Sequence, residues 1–179
     1  MSEKNYNVKV MYTEEEVLKR IKEMGEQISK DYGDQPIKLI SVLKGGAFIT
    51  CELAKRITTP PVSLDFMSLS SYQGTTSTGV VKIIKDLDHS IDGENVIVVE
   101  DIIDTGRTLS YLMKYLANRN PKSIKLCTLL DKPDRRVVDD VKVDYTGFVI
   151  PDKFVVGWGL DYDQKMRNLP FIGTVEFID

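Results

Sequence analysis

Two short runs, KLISVL at 38–43 and NVIVV at 95–99, are each followed by a glycine-containing turn and then by a helical period. Strands this uniformly apolar are stable only where both faces of their sheet are covered, which is the situation of a mainly parallel sheet with crossover helices. The rest of the chain fits that constraint. Thr13 and Glu16 have capping-box spacing. Val17, Leu18, Ile21, Met24 and Ile28 then recur with a helical period. Residues 31–36 break that helix, and 47–56 and 108–118 predict two more. Strands are predicted at 38–43, 63–69, 80–85, 95–99, 124–130, 145–149 and 171–177, with a polar stretch, SSYQGTTSTG, at 70–79. The expected fold class is α/β: a mainly parallel twisted sheet flanked by helices. The 179 residues suit one domain.

Charge and cysteine content narrow the function. The formal net charge is −3 and the isoelectric point about 5.3, which argues against a broad nucleic-acid or anionic-membrane footprint. No apolar run approaches the roughly 20 residues of a membrane helix. The first ten residues, MSEKNYNVKV, lack an apolar signal core. Cys51 and Cys127 sit among apolar residues without metal-ligand spacing and are expected to be buried thiols in a reducing compartment. A cytoplasmic protein is the expectation. His89, the one histidine, sits in a polar stretch and is expected in a surface loop.

In open parallel sheets, ligands bind beyond the carboxyl ends of the strands. Two turns fall there: KGG at 44–46, and DTGRT at 104–108 in the stretch VIVVEDIIDTGRTL. Gly106 permits close backbone approach, and the helix start after it offers free N–H groups to an anion. Thr105 and Thr108 add hydroxyl donors. The stretch is too short for a triphosphate loop and lacks a dinucleotide fingerprint, so it fits one monophosphate. Yet Glu100, Asp101 and Asp104 crowd negative charge against that cradle. Sugar hydroxyls donating to Glu100 and Asp101, with a Mg²⁺ bridging sugar and phosphate oxygens, would resolve the conflict. The ligand expected is a ribose 5-phosphate carrying a second, metal-bound anionic group.

VVEDIIDTGRT closely resembles the phosphoribosyl-diphosphate signature of type I phosphoribosyltransferases. Five further blocks resemble the hypoxanthine-guanine branch in order and approximate spacing: VLKGG at 42–46, SSYQGTTSTG at 70–79, LLDKP at 129–133, IPDKFVVGWGLDY at 150–162 and RNLPFIG at 167–173. The resemblance runs from about Val8 to the end. It implies a single domain over 1–179, with a core at about 37–150 and a small hood from the N-terminal segment and about 151–179.

The implied reaction is purine salvage: hypoxanthine or guanine displaces diphosphate from 5-phosphoribosyl 1-diphosphate, giving IMP or GMP, with Mg²⁺ as cofactor. The resemblance places phosphate and ribose on Glu100, Asp101, Ile102, Ile103, Asp104, Thr105, Gly106, Arg107 and Thr108, with Asp104 as the general base near purine N7. It gives diphosphate to Lys44, Gly45 and Arg167, and metal to Glu100, Asp101 and Asp161. Lys132, Lys153, Phe154, Val155 and Asp161 would surround the purine. Residues 70–79 would form a lid carrying Ser71 and Tyr72. A cis peptide at Leu43–Lys44 is a frequent feature of the family, and a homodimer or homotetramer is its usual assembly. Arg107 and Trp158 depart from commoner residues; Trp158 is expected to pack near the base end or an interface. A nucleic-acid-binding regulator on the same fold would need a basic face or an added segment, which this acidic chain does not show.

Overall fold

The computed structural model describes residues 6–71 and 81–178. The chain forms β1 (Tyr6–Tyr12), α1 (Glu14–Tyr32), β2 (Ile37–Leu43), α2 (Gly46–Arg56), β3 (Val62–Ser71), β4 (Val81–Lys85), β5 (Asn95–Ile103), α3 (Arg107–Ala117), β6 (Ser123–Asp131), β7 (Tyr145–Val149), β8 (Val155–Val156) and β9 (Ile172–Phe177). A 3₁₀ turn, Pro133–Arg135, follows β6. The main sheet has the order β4-β3-β2-β5-β6-β7. Its pairs are parallel except β3 with β4. A small antiparallel sheet, β1-β9-β8, pairs the N-terminal strand with two strands from the C-terminal part of the chain.

The pleat sorts the apolar strand residues onto two faces. In β5, Ile97 and Val99 pack in one core with Val17, Ile21 and Met24 of α1 and Ile49 and Leu53 of α2. Val96 and Val98 pack in the other with Leu109, Leu112 and Leu116 of α3. Both faces are therefore covered, and this is why β2 and β5 read as continuous apolar runs rather than as alternation.

Three elements differ from the sequence expectation. β5 continues to Ile103 rather than ending at Val99, because β6 keeps pairing with it as far as Ile103↔Asp131. β1 and β8 carry no sustained apolar run; they become strands by pairing with β9. Cys51 is exposed, not buried. α2 turns Gly46, Ile49, Thr50 and Leu53 inward, which leaves Phe48 and Cys51 outside. Cys127 is buried in β6, and burial pushes its thiol pKa up. His89 is exposed. Among the described residues, no helix is long and apolar enough to cross a membrane.

The start of α1 closes as the sequence spacing predicts. The Glu16 N–H donates to Thr13 Oγ1 at 3.3 Å, and the Thr13 N–H donates to Glu16 Oε2 at 2.8 Å. Removing this cap by Thr13→Ala should cost about 1 kcal/mol, a fall of about 2–4 °C in thermal midpoint for a chain of this size. An unchanged midpoint would show that the box does not anchor the helix.

Candidate active site

The site is built where β5 outruns its neighbour. β2 stays in register with β5 only as far as Ser41↔Val99. Beyond Val99 the β2 side of β5 is open to the 44–46 turn. The alternation breaks at the acidic pair: Ile102 packs against the α1–α2 core and Ile103 in the α3 core, the reverse of the order set by Val98 and Val99, and the Glu100 and Asp101 side chains lie within hydrogen-bonding reach of each other. Asp101 meets the glycine turn: a Cβ on Gly45 would lie 1.5 Å from Asp101 Oδ2 and 3.1 Å from the Gly159 carbonyl. Only glycine lets the turn lie against this carboxylate. Glu100 instead lines a cavity of about 170 Å³ with Val42, Ile102, residues 103–106, Thr108, Leu109 and Leu112.

Neither carboxylate is comfortably ionised. Asp101 is buried, and its Oδ1 accepts the Ile102 N–H at 2.7 Å. Burial raises its pKa, with the Ile102 N–H, a hydrogen bond from the Glu100 carboxyl and the charge of Arg167 pulling the other way. Glu100 is more extreme: burial first, then the charge of Asp101, pushes it well above the ordinary carboxylate range. Its Oε2 is shielded from solvent and has no hydrogen-bond partner. A buried acid oxygen left this way awaits a cation or a donor.

The cavity floor is the start of α3. Gly106 takes φ 81°, ψ −7°, a left-handed conformation that turns β5 into the helix, and no side chain caps the end. The first N–H groups of a helix have no partner within it. Thr105 and Thr108 are half-buried here, while Arg107 is exposed. Asp104 is about half exposed, and its Oδ1 accepts from Arg135 Nε at 3.0 Å.

Across the acidic pair, Lys44 is exposed after the Leu43–Lys44 peptide, which is cis. Lys44 Nζ donates to Gln164 Oε1 at 3.0 Å. Arg167 donates through Nη1 to the Gly159 carbonyl at 2.6 Å and pairs through Nη2 with Asp161 Oδ1 at 2.7 Å. Asp161 Oδ2 accepts the Gln164 N–H at 2.8 Å. In this arrangement Asp161 is committed to Arg167, and no group of three acids, histidines or cysteines with metal-binding spacing forms among the described residues.

The third wall comes from the end of β6 and the stretch that leads into β8. Lys132 is buried, 6 % exposed, and its ammonium lies 3.7 Å from Asp152 Oδ1. Phe154 is 46 % exposed and meets Tyr162 edge-to-face at 5.7 Å. Val155 is buried in β8, and Lys153 is exposed. Trp158 is buried in the α1–α2 core, donating from Nε1 to the Pro170 carbonyl at 2.6 Å. Ser71 ends β3, with its side chain outside the described residues; Tyr72 and the rest of the expected lid through Gly79 lie outside them entirely. Sequence reasoning did not single out Arg135, Asp152 or Gln164. Each acts through a partner distant in the chain, which no local spacing reveals.

An acidic strand end flanked by a glycine turn and a phosphate-sized helix mouth is the pattern of the phosphoribosyl transferase domain family. The chain belongs to that family, whose model matches residues 8–165. Within it, the chain is 49% identical over 169 residues to the hypoxanthine-guanine phosphoribosyltransferase of Bacillus subtilis, covering 94% of this chain and 93% of that one. It is 47% identical, with the same coverage, to the enzyme of that name from Streptococcus thermophilus. A crystal structure of a hypoxanthine phosphoribosyltransferase from Staphylococcus aureus superposes with a TM-score of 0.89 at 48% identity, over 94% of this chain and 91% of that one.

The raised pKa of Glu100 carries a sign. Above the ordinary carboxylate range the unfolded chain has released this proton while the folded chain still holds it. Stability therefore falls as pH rises through that window, and the full penalty stands above the folded pKa. Glu100→Gln should raise the thermal midpoint of the metal-free protein near neutral pH, by about 2–4 °C per kcal/mol relieved. The gain should vanish below about pH 4, where the acid is protonated in both states. No gain, or the same gain at every pH, would contradict the electrostatic account.

Proposed function

We propose that this chain transfers the 5-phosphoribosyl group from 5-phospho-α-D-ribose 1-diphosphate to hypoxanthine or guanine, releasing diphosphate and forming IMP or GMP. The observation that carries this reading is the acidic pair at the open end of β5. Glu100 and Asp101 stand between two backbone cradles, one of a size for a monophosphate and one beside Lys44 and Arg167. The names borne by the relatives select the purine branch.

The 5-phosphate sits on the N–H groups and hydroxyls of 104–108, with Ile102 and Ile103 walling the cavity. The ribose hydroxyls donate to Glu100 and Asp101. The unpaired Glu100 oxygen and the two adjacent carboxylates fit Mg²⁺, which commonly takes one or two protein carboxylates and completes its shell from substrate and water. When bound, the ion neutralises diphosphate charge. Asp161 would hold a second cation only with its pair to Arg167 open. Lys44, Gly45 and Arg167 hold the diphosphate, the guanidinium suiting a two-point phosphate contact.

The C1–oxygen bond to diphosphate breaks as N9 of the purine bonds to C1, and the N7 proton passes to Asp104. The negative charge of Asp104 also favours the oxocarbenium-like ribose. Lys132, a donor without acceptor capacity, selects a 6-oxo over a 6-amino purine. Phe154 stacks on the ring, and the Lys153–Val155 backbone holds its edge. The lid with Ser71 and Tyr72 excludes water. The chain works on these small molecules, not on nucleic acid or membrane, in the cytoplasm as a homodimer or homotetramer.

The test is nucleotide formation from the donor and Mg²⁺ with hypoxanthine, guanine, xanthine or adenine, each with an EDTA control. Metal-dependent IMP and GMP with no product from adenine is the expected result; folded protein that binds the donor and transfers to no base would overturn the reading. In that assay Asp104→Asn should lower kcat by about 10²–10⁴-fold, the usual range for a lost acid–base group, while donor binding persists. Near-normal turnover would remove Asp104 from its role. Lys132→Gln should lower kcat/KM for hypoxanthine by about 10-fold or more, as loss of a hydrogen bond to or from a charged group does. An unchanged ratio of 6-oxo to 6-amino use would assign selectivity elsewhere.

A further inference from the structure

The turn after Lys132 carries Arg135, which has no role so far, yet the turn is laced to the phosphate loop. The Lys132 N–H donates to the Ile103 carbonyl at 3.0 Å, and the Val137 N–H donates to the Thr105 carbonyl at 3.1 Å. Between them the 3₁₀ turn closes through Arg135 N–H to the Lys132 carbonyl at 3.1 Å and Arg136 N–H to the Pro133 carbonyl at 3.0 Å. Arg136 pairs with Asp131. A Cβ on Gly106 would lie 2.7 Å from Arg136 Cδ and 2.8 Å from a Val138 methyl. The turn is thus fixed against the loop that carries Asp104.

From this turn Arg135 faces two carboxylates. Its Nε lies 3.0 Å from Asp104 Oδ1 and its Nη1 3.6 Å from Asp152 Oδ2. The other oxygen of Asp152 lies 3.7 Å from Lys132 Nζ. Charges alternate along the line Lys132, Asp152, Arg135, Asp104. The two ends of that line are the groups assigned to neighbouring atoms of the substrate: in a 6-oxopurine, O6 and N7 lie on one edge of the ring. A donor must meet O6 while an acceptor meets the N7 proton, so their separation has to be held.

We propose that Arg135 is a positioning residue which, through Asp152, holds Asp104 and Lys132 at the spacing of the O6–N7 edge. This rests on the purine-transfer reading above. The pair with Asp104 is about half exposed on both sides, 47% and 45%, so its contribution to fold stability is small. Its contribution is orientation. Arg135 holds one oxygen of Asp104 and leaves the other for the N7 proton. The planar fork of a guanidinium can face two carboxylates at fixed angles, which a lysine ammonium on a flexible stem cannot. Small displacements of a reacting group cost up to about 10²-fold in rate.

The experiment compares wild type, Arg135→Ala, Arg135→Lys, Asp152→Ala and the Arg135→Ala/Asp152→Ala double variant. Each is assayed for kcat, for KM of the phosphoribosyl donor and for thermal midpoint. Arg135→Ala is expected to lower kcat by about 10-fold or more, within the range for misplaced reacting groups, with donor KM and midpoint close to wild type. Arg135→Lys recovers only part of the loss. The double variant is little worse than Arg135→Ala, because residues acting as one unit are not additive. A kcat for Arg135→Ala within about two-fold of an active wild type overturns the proposal alone. So does full recovery in Arg135→Lys, or a loss in which kcat, donor KM and midpoint all move together. A wild type that forms no IMP removes instead the reading on which the proposal stands.

Discussion

The structure turns on one close approach, the Gly45 backbone against the Asp101 carboxylate. It exists because β5 runs past the end of its pairing with β2, and because the residue that fills the gap has no Cβ to collide with Asp101 Oδ2. Asp101 meets the KGG turn and Glu100 lines the mouth of α3, so one adjacent acidic pair borders both cradles at the open end of a single strand. The opposition between an acidic pair and an anion-binding loop, which looks unfavourable along the chain, is resolved in space.

The same geometry explains the charge balance. Lys44, Arg167, Lys132 and Arg135 each face an oxygen of the chain: Gln164, Asp161 with the Gly159 carbonyl, Asp152, and Asp104 with Asp152. These contacts hold the cations in place around the cavity. Glu100 is the exception, with a shielded, unpartnered oxygen and a raised pKa. A buried acid of this kind costs stability, and functional sites are where such costs concentrate. The burial of Lys132 follows the same logic. A lysine at a strand end is usually solvated, whereas this one is enclosed with its ammonium near Asp152.

Much of this was legible in the sequence, because the signals are local. Apolar runs with turns and helical periods define the sheet and its covering helices, and the capping box at Thr13 marks the start of α1 to the residue. The glycine turn and the DTGRT loop fall at strand ends by order alone. What escaped is non-local. The apolar run predicts an end to β5 at Val99, where acidic residues interrupt it, although pairing with β6 carries the strand to Ile103. That extension is what carries Glu100 and Asp101 to the open end of the strand, beside both turns. β1 and β8 owe their conformation to β9, and Cys51 looks buried by composition but lies on the outer side of α2. Arg135 is one of two adjacent arginines in a polar stretch; only the folded turn shows which faces Asp104 and which pairs with Asp131.

The ligand is divided between two turns that flank the acidic pair, and a crystal structure of the chain with 5-phosphoribosyl 1-diphosphate and Mg²⁺ tests that arrangement most directly. The account predicts the 5-phosphate on the N–H groups of 104–108, the sugar hydroxyls and metal at Glu100 and Asp101, and the diphosphate on the side of Lys44, Gly45 and Arg167. A donor bound in the reverse sense, or one whose ribose makes no contact with the acidic pair, would contradict it.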